Sequence, residues 1–311
     1  MMNVAFLFPG QGSQTVGMGK ALAEAFPEAA RTFEEAEEIL GLPIRQLCWE
    51  GPEETLRATE NAQVALFVTS MAALRAFQAL GGPKPTFVAG HSLGEYSAVC
   101  AAGALDFAST LKLVRLRGEL MAKAEAGTMA AVMGLEAEKL EDLCRNASST
   151  VVVANYNSPD QLVISGTPEG VAEVSQKASE AGAKRVVPLV VAGAFHSPLM
   201  EVASEALTAA LEKAPWQDTT VPVVTNVDAT PTTKAADFSA KLAKQLASSV
   251  RWTDTLRWMM EQGETTFVEL GAGKVLSGLV KKLDRKAPTL VTEDPEALRK
   301  ALDAMTSPVS S

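Results

Sequence analysis

Apolar residues follow two rhythms along the chain. Short, nearly unbroken apolar runs over 4–8, 86–90, 223–225, 266–270 and 289–292 predict buried strands. Longer segments with apolar positions three and four apart predict helices over 18–26, 28–40, 61–80 and 106–124. The segment 61–80 is the clearest, with Val64, Phe67, Val68, Met71, Leu74 and Phe77 in helical spacing. Pro27 suits a helix start, Gly81-Gly82-Pro83 ends the long helix, and 52–54 can open a short helical turn. Strands alternating with helices predict an α/β fold.

The texture changes at Gly127. From there the pattern predicts strand 128–133, helix 136–145, strand 151–155, strand 161–165, helix 168–181 and strand 185–188. Asn157-Ser158-Pro159-Asp160 supplies the turn between the middle strands. That β-α-β-β-α-β order is ferredoxin-like. The expected organisation is a small ferredoxin-like unit over 128–191, inserted into a discontinuous large unit formed by 1–127 and 192–311. In the second part of the large unit, helices are expected over 197–213, 235–247, 253–261 and from 274 to 283. A terminal helix over 295–305 and a polar tail follow. Trp49, Trp216, Trp252 and Trp258 are scattered and read as packing residues.

Composition narrows the function classes. The chain has 311 residues, 47% hydrophobic and 21% charged, with a formal net charge of −9. The acidic balance argues against a nucleic-acid backbone as partner. No run of eighteen apolar residues exists, so no membrane span is expected. Cys48, Cys100 and Cys144 match no zinc or redox spacing, which points to a reducing compartment. The expected location is the cytoplasm, or a plastid or mitochondrial matrix if an organelle leader has been removed. The polar loop 9–14 lacks the Gly-Lys-Ser/Thr ending of a phosphate loop.

The strand over 86–90 runs into Gly90-His91-Ser92-Leu93-Gly94, and a helix follows at once. Strand, sharp turn and helix around Gly-x-Ser-x-Gly mark a nucleophile elbow, with Ser92 exposed at the turn and helix-start amides beside it. The alternative is a serine that only caps a helix. A hydroxyl needs a base, and the chain holds only His91 and His196. His91 adjoins Ser92, and neighbouring side chains at such a turn diverge, so His196 is the better candidate. The group that would orient the imidazole stays open at this point, either an acid or a backbone carbonyl. Arg115 and Arg117 are two apart on one helix, so at most one faces the elbow.

These motifs occur in a telling order. Pro9-Gly10-Gln11-Gly12-Ser13-Gln14, Gly90 to Glu95, Arg117, Ala194-Phe195-His196-Ser197 and Gly271-Ala272-Gly273-Lys274 together resemble the malonyl-CoA:acyl carrier protein transacylase family of type II fatty acid synthesis. The likeness spans essentially the whole chain. It implies an α/β-hydrolase-like large unit with the inserted ferredoxin-like unit. It also implies ping-pong transfer of malonyl from malonyl-CoA to holo-acyl carrier protein through a malonyl-serine. Ser92 is then the nucleophile and His196 the base, with the carbonyl of Gln245 orienting it. The N–H groups of Gln11 and Leu93 form the oxyanion hole. Arg117 pairs with the malonyl carboxylate, Gln63 lines the same pocket, and Phe195 excludes a branched acyl group.

No cofactor or metal is implied, because CoA arrives as substrate and phosphopantetheine is carried by the acceptor protein. The partners implied are malonyl-CoA and holo-acyl carrier protein, without nucleic acid or membrane, and the chain is expected to be a monomer. Lys184 with Arg185, and Lys281, Lys282 and Arg285, are the visible basic groups for an acidic carrier. Three other readings share features of the motif set: a malonyltransferase acting in trans on a polyketide synthase, a serine hydrolase or thioesterase, and a non-enzymatic carrier-docking subunit.

Overall fold

A computed structural model describes residues 3–124, 127–191 and 193–306. Among them the strands are, in chain order, β1 (Asn3–Phe8), β2 (Phe87–Gly90), β3 (Thr128–Met133), β4 (Val151–Ser158), β5 (Gln161–Gly166), β6 (Arg185–Pro188), β7 (Val223–Val224), β8 (Pro231–Thr232), β9 (Thr265–Glu269) and β10 (Thr289–Val291). They form two sheets. The larger has the order β10-β9-β1-β2-β7-β8, and the smaller has the order β4-β5-β3-β6.

The larger sheet is parallel from β10 to β7, with β8 added antiparallel to β7. Parallel strands are covered on both faces, which is why β1 reads as a continuous apolar run with five of six residues buried. The helix Thr59–Ala79 covers one face and is buried almost all round, including Gln63, Thr69 and Ser70. The opposite face packs on Trp252, Leu256, Met259, Leu276 and Val280. Because β1, β2, β7 and β9 point the same way, the loops after them meet at one edge. Loops at the carboxyl edge of a parallel sheet are where such folds place chemistry.

The smaller sheet is antiparallel, and its strand order is that of the ferredoxin-like fold. Alternation along β3 explains how it is held. Ala130 and Val132 face the helices Ala137–Arg145 and Pro168–Glu180 through Leu140, Val171 and Val174. Met129 and Ala131 face the other way and join the main core. Val250 extends the seam, since its N–H donates to Ala154 O (2.8 Å) and its carbonyl accepts from Tyr156 N (2.9 Å).

Most element boundaries agree with the pattern to within a few residues. The differences have local causes. Helix Ile44–Glu50 has no counterpart in the sequence pattern, and Glu53–Arg57 shows there only as a turn at 52–54; both are too short to show a period. β8 is a two-residue strand led by a proline, and nothing in its sequence marks it. β4 continues through Ser158, leaving only Pro159 and Asp160 in the turn. The segment expected as one helix over 197–213 starts as a 3₁₀ turn at Pro198–Met200 and becomes α-helical at Glu201–Leu211. Position 192 and the tail after 306 lie outside the described residues. All four tryptophans sit in aromatic contacts, as packing residues should.

Candidate active site

The elbow is built by crowding. A Cβ at Gly90 would meet Gly94 O at 1.8 Å, and one at Gly94 would meet Phe8 O at 2.0 Å, so both glycines are needed for the turn to close. Ser92 takes φ 51°, a left-handed conformation that a non-glycine residue holds only where its surroundings enforce it. Asn226, two residues beyond β7, supplies much of that enforcement. Its Oδ1 accepts from Ser92 N (2.7 Å), and its Nδ2 donates to Gly90 O (2.8 Å).

Ser92 Oγ lies 2.7 Å from His196 Nε2. On the far side of the ring, Nδ1 faces two carbonyl oxygens, Gln245 O (2.9 Å) and Ser248 O (3.2 Å). Carbonyls only accept, so Nδ1 carries the proton and Nε2 is free to accept the one on Ser92 Oγ. Among the described residues no acid takes the usual third place, and the orienting groups are backbone carbonyls. Burial, and then the nearby Arg117 guanidinium, pull the His196 pKa down to about 3, so the imidazole is neutral. His91 is occupied elsewhere, with Nε2 at 2.7 Å from Asn157 Oδ1 and its ring edge-on to Trp252.

Of the two arginines, only Arg117 faces the elbow. Arg115 donates to Glu119 (2.6 Å) on its own helix. Arg117 is 1% exposed, and its Nη1 donates to Gln63 Oε1 (2.7 Å). Its Nη2 donates to Gln245 Oε1 (3.0 Å) and to Ser92 Oγ itself (3.1 Å). A guanidinium stays charged even where burial lowers its pKa. The site therefore presents a fixed cation within reach of a hydroxyl and a neutral base.

The other expected positions are near this centre. Leu93 follows the serine and is buried, and Gln11 sits in the loop after β1 with its side chain donating to Thr59 Oγ1 (3.4 Å). Among the described residues, neither backbone N–H has an acceptor. Phe195, 5% exposed, adjoins His196, which itself takes φ 57°. The basic groups lie apart from the centre, and two of them have internal partners. Lys281 donates to the carbonyls of Arg285 (3.2 Å) and Ala287 (2.7 Å), and Lys282 donates to Gln161 Oε1 (2.9 Å) on the small sheet. A groove of about 490 Å³ at the seam between the sheets, beside Tyr156, Ser249, Arg251 and Arg257, touches the site only through Ser248. Among the described residues, no group of three or more His, Cys, Asp or Glu side chains is placed to hold a metal ion.

Sequence reasoning missed three contributors, Asn226, Ser248 and Glu95. Glu95 is buried directly behind Gln245, and its Oε2 accepts from Gln245 Nε2 (2.6 Å). One signal was available for Asn226, a polar residue two positions after a strand of the parallel sheet, at the edge where such sites form.

Residues 5–293 match the family model described as an acyl transferase domain. The malonyl CoA-acyl carrier protein transacylase of Bacillus subtilis (strain 168) is 48% identical, over 98% of this chain and 98% of that protein. The solved structure of the malonyl CoA-acyl carrier protein transacylase of Coxiella burnetii superposes with a TM-score of 0.96 at 39% identity, covering 98% of each chain. A malonyl-transacylase solved in complex with a type II polyketide acyl-carrier protein superposes at 0.95 and 40% identity, covering 97% of this chain and 99% of that one.

Proposed function

The chain belongs to the acyl transferase family, among the malonyl-CoA:acyl carrier protein transacylases, and on that premise we propose how its own residues carry the reaction. The enzyme transfers a malonyl group from malonyl-CoA to the phosphopantetheine thiol of holo-acyl carrier protein. Ser92 Oγ attacks the thioester carbon while its proton passes to His196 Nε2. The oxyanion is met by the N–H groups of Gln11 and Leu93. The C–S bond breaks, His196 returns the proton to the CoA sulfur, and a malonyl-serine remains. The carrier thiol then repeats the sequence in reverse, giving up its proton to His196 and freeing Ser92.

Arg117 is the observation that carries this reading. A buried guanidinium held by Gln63 and Gln245, 3.1 Å from the nucleophile, suits an acyl group that ends in a carboxylate. Arginine pairs with a carboxylate bidentately, whereas an acetyl group leaves the cation unmatched. Pairing also neutralises the charge that faces His196, so the imidazolium formed during attack is better tolerated. Phe195 limits the width of the acyl site and disfavours a branched acyl chain. Residues 1–127 with 192–311 make up the catalytic unit and 128–191 the ferredoxin-like unit. Lys184 and Arg185 on the small sheet are the basic groups offered to the carrier.

A carrier from a polyketide synthase is the second reading, favoured by the likeness to the polyketide transacylase complex. Intact mass spectrometry tests the central claim. Malonyl-CoA should add one malonyl group to the wild-type protein, holo-carrier should remove it, and Ser92→Ala should show no adduct. A persistent adduct on Ser92→Ala would refute the assignment of the nucleophile.

A further inference from the structure

Glu95 has no part in the steps above, yet it is fully buried in the first turn of the helix Gly94–Ala102. A buried carboxylate is costly unless it is used. Its Oε2 accepts from Gln245 Nε2 (2.6 Å) and from Asn226 N (3.3 Å). Gln245 Nε2 donates a second time, to Ser92 O (2.8 Å). With both amide hydrogens committed, Gln245 must present Oε1 to Arg117 Nη2. A flipped amide would set its NH₂ against the guanidinium and its oxygen against both the carboxylate and Ser92 O, three repulsive contacts. Glu95 therefore joins Ser92 O and Arg117 in fixing which way this amide points. The backbone carbonyl of the same Gln245 holds His196 Nδ1.

We propose that Glu95 is a positioning residue for malonyl selection. Through the Gln245 side chain it holds Arg117 in line with Ser92, and through the Asn226 backbone it anchors the residue that pins the elbow. This role rests on the proposed function and adds to it the device that keeps the carboxylate-binding cation in register. The arrangement is a hydrogen-bonded chain of fixed polarity: carboxylate, amide dipole, guanidinium. Gln245 is thus more than a backbone acceptor for the base.

Protonation gives the proposal a handle. Burial pushes the Glu95 pKa up to about 7. The charged groups that face Glu95 are Arg117 and Asp228, with Tyr96 beside Arg117, and Asp228 is itself paired to Lys241 (2.8 Å). The ionised carboxylate can only accept, whereas the neutral acid can also donate to a flipped amide, so selectivity should be strongest above that pKa and should weaken as pH falls through it. His196, held down at about 3, cannot produce a change in that range.

The test measures single-turnover acylation of Ser92 by malonyl-CoA and by acetyl-CoA between about pH 5.5 and 8.5, in wild type and Glu95→Gln. Taking the ratio of the two kcat/KM values cancels the titration of the CoA phosphates, which both substrates share. In wild type the ratio should rise about tenfold as Glu95 ionises. In Glu95→Gln it should be low and independent of pH, because an amide at residue 95 donates as well as accepts, carries no charge and no longer favours one orientation of Gln245. A flat wild-type ratio, or a variant with the wild-type profile, overturns the role of Glu95. If the variant does not fold, as read by circular dichroism, the wild-type profile alone decides. Failure to form any malonyl-serine would overturn the proposed function as well, and the adduct mass separates that outcome from a flat ratio.

Discussion

The small sheet and the floor of the elbow are both buried, but they are held by opposite means. One face of the small sheet rests on Ala130, Val132, Leu140, Ile164, Val171 and Val174, all apolar. Such a layer is non-directional, and a change of one methyl group costs little more than the area and cavity it leaves. Beneath Ser92 the buried residues are Gln63, Glu95, Arg117, Asn226 and Gln245, and each is hydrogen-bonded to another of the set or to the elbow. Removing one partner there strands the next in a low-dielectric interior. The lesson is a division of labour: the small sheet supplies stability by volume, and the elbow floor supplies geometry by polarity. Each substitution below asks whether that division holds.

The largest effect is expected at Arg117. Arg117→Ala removes the proposed carboxylate partner and leaves Gln63 Oε1 and Gln245 Oε1 without their donor. Malonyl kcat/KM should fall by about 10²–10³, equivalent to about 3–4 kcal/mol, as when one partner of a buried charge pair is truncated. Acylation by a neutral thioester should fall far less. Single-turnover acylation with both substrates measures this. Equal losses would mean that the arginine holds the elbow up instead of choosing the acyl group, and geometry and specificity would no longer be separable.

A smaller effect is expected from Asn226→Ala. The side chain satisfies Ser92 N and Gly90 O, two backbone groups of a strained turn. Its loss should lower stability by about 2–3 kcal/mol, in the range for buried groups left unpaired. It should also reduce kcat by about tenfold with KM little changed, because substrate contacts survive while the serine loses its aim. Asn226→Asp keeps the acceptor for Ser92 N but not the donor to Gly90 O, so it should fall between the two. Melting temperature read beside kcat tests both halves. A drop in Tm with kcat intact would make Asn226 a fold residue only.

The same division explains what the sequence made legible. The small sheet announces itself through local pattern: β3 to β6 and their two helices fall within a few residues of the spacing-based expectation, because each is long enough to show a period. Ser92 is legible because strand, elbow and helix are consecutive. His196 is legible because histidine is so scarce, and Arg117 is singled out only by resemblance. The floor is not local at all. Gln245 meets Ser92 across 153 residues, and Asn226 meets Glu95 across 131. No periodicity connects them. By pattern alone Gln245 reads as the last turn of an amphipathic helix, and only the resemblance singles it out, while Asn226 reads as an ordinary loop residue. Only the meeting of loops at the carboxyl edge of the parallel sheet turns these polar residues into a network.

The smallest effect sharpens the boundary between the two regions. Ser249 lies at the seam, where its Oγ donates to Val153 O of β4 (2.7 Å). Its neighbours serve both sides. Ser248 O accepts from His196 Nδ1, and Val250 pairs with Ala154 and Tyr156. Ser249→Ala removes one hydrogen bond from a part-buried carbonyl, so stability should fall by about 1 kcal/mol. Malonyl transfer should change by less than about twofold, because Gln245 O still holds the imidazole at 2.9 Å when Ser248 shifts. Denaturant unfolding and steady-state transfer, measured on one preparation, give both numbers. A tenfold loss of kcat with stability unchanged would mean that the small sheet sets the position of His196 through this seam, and the elbow floor would then extend into the ferredoxin-like unit.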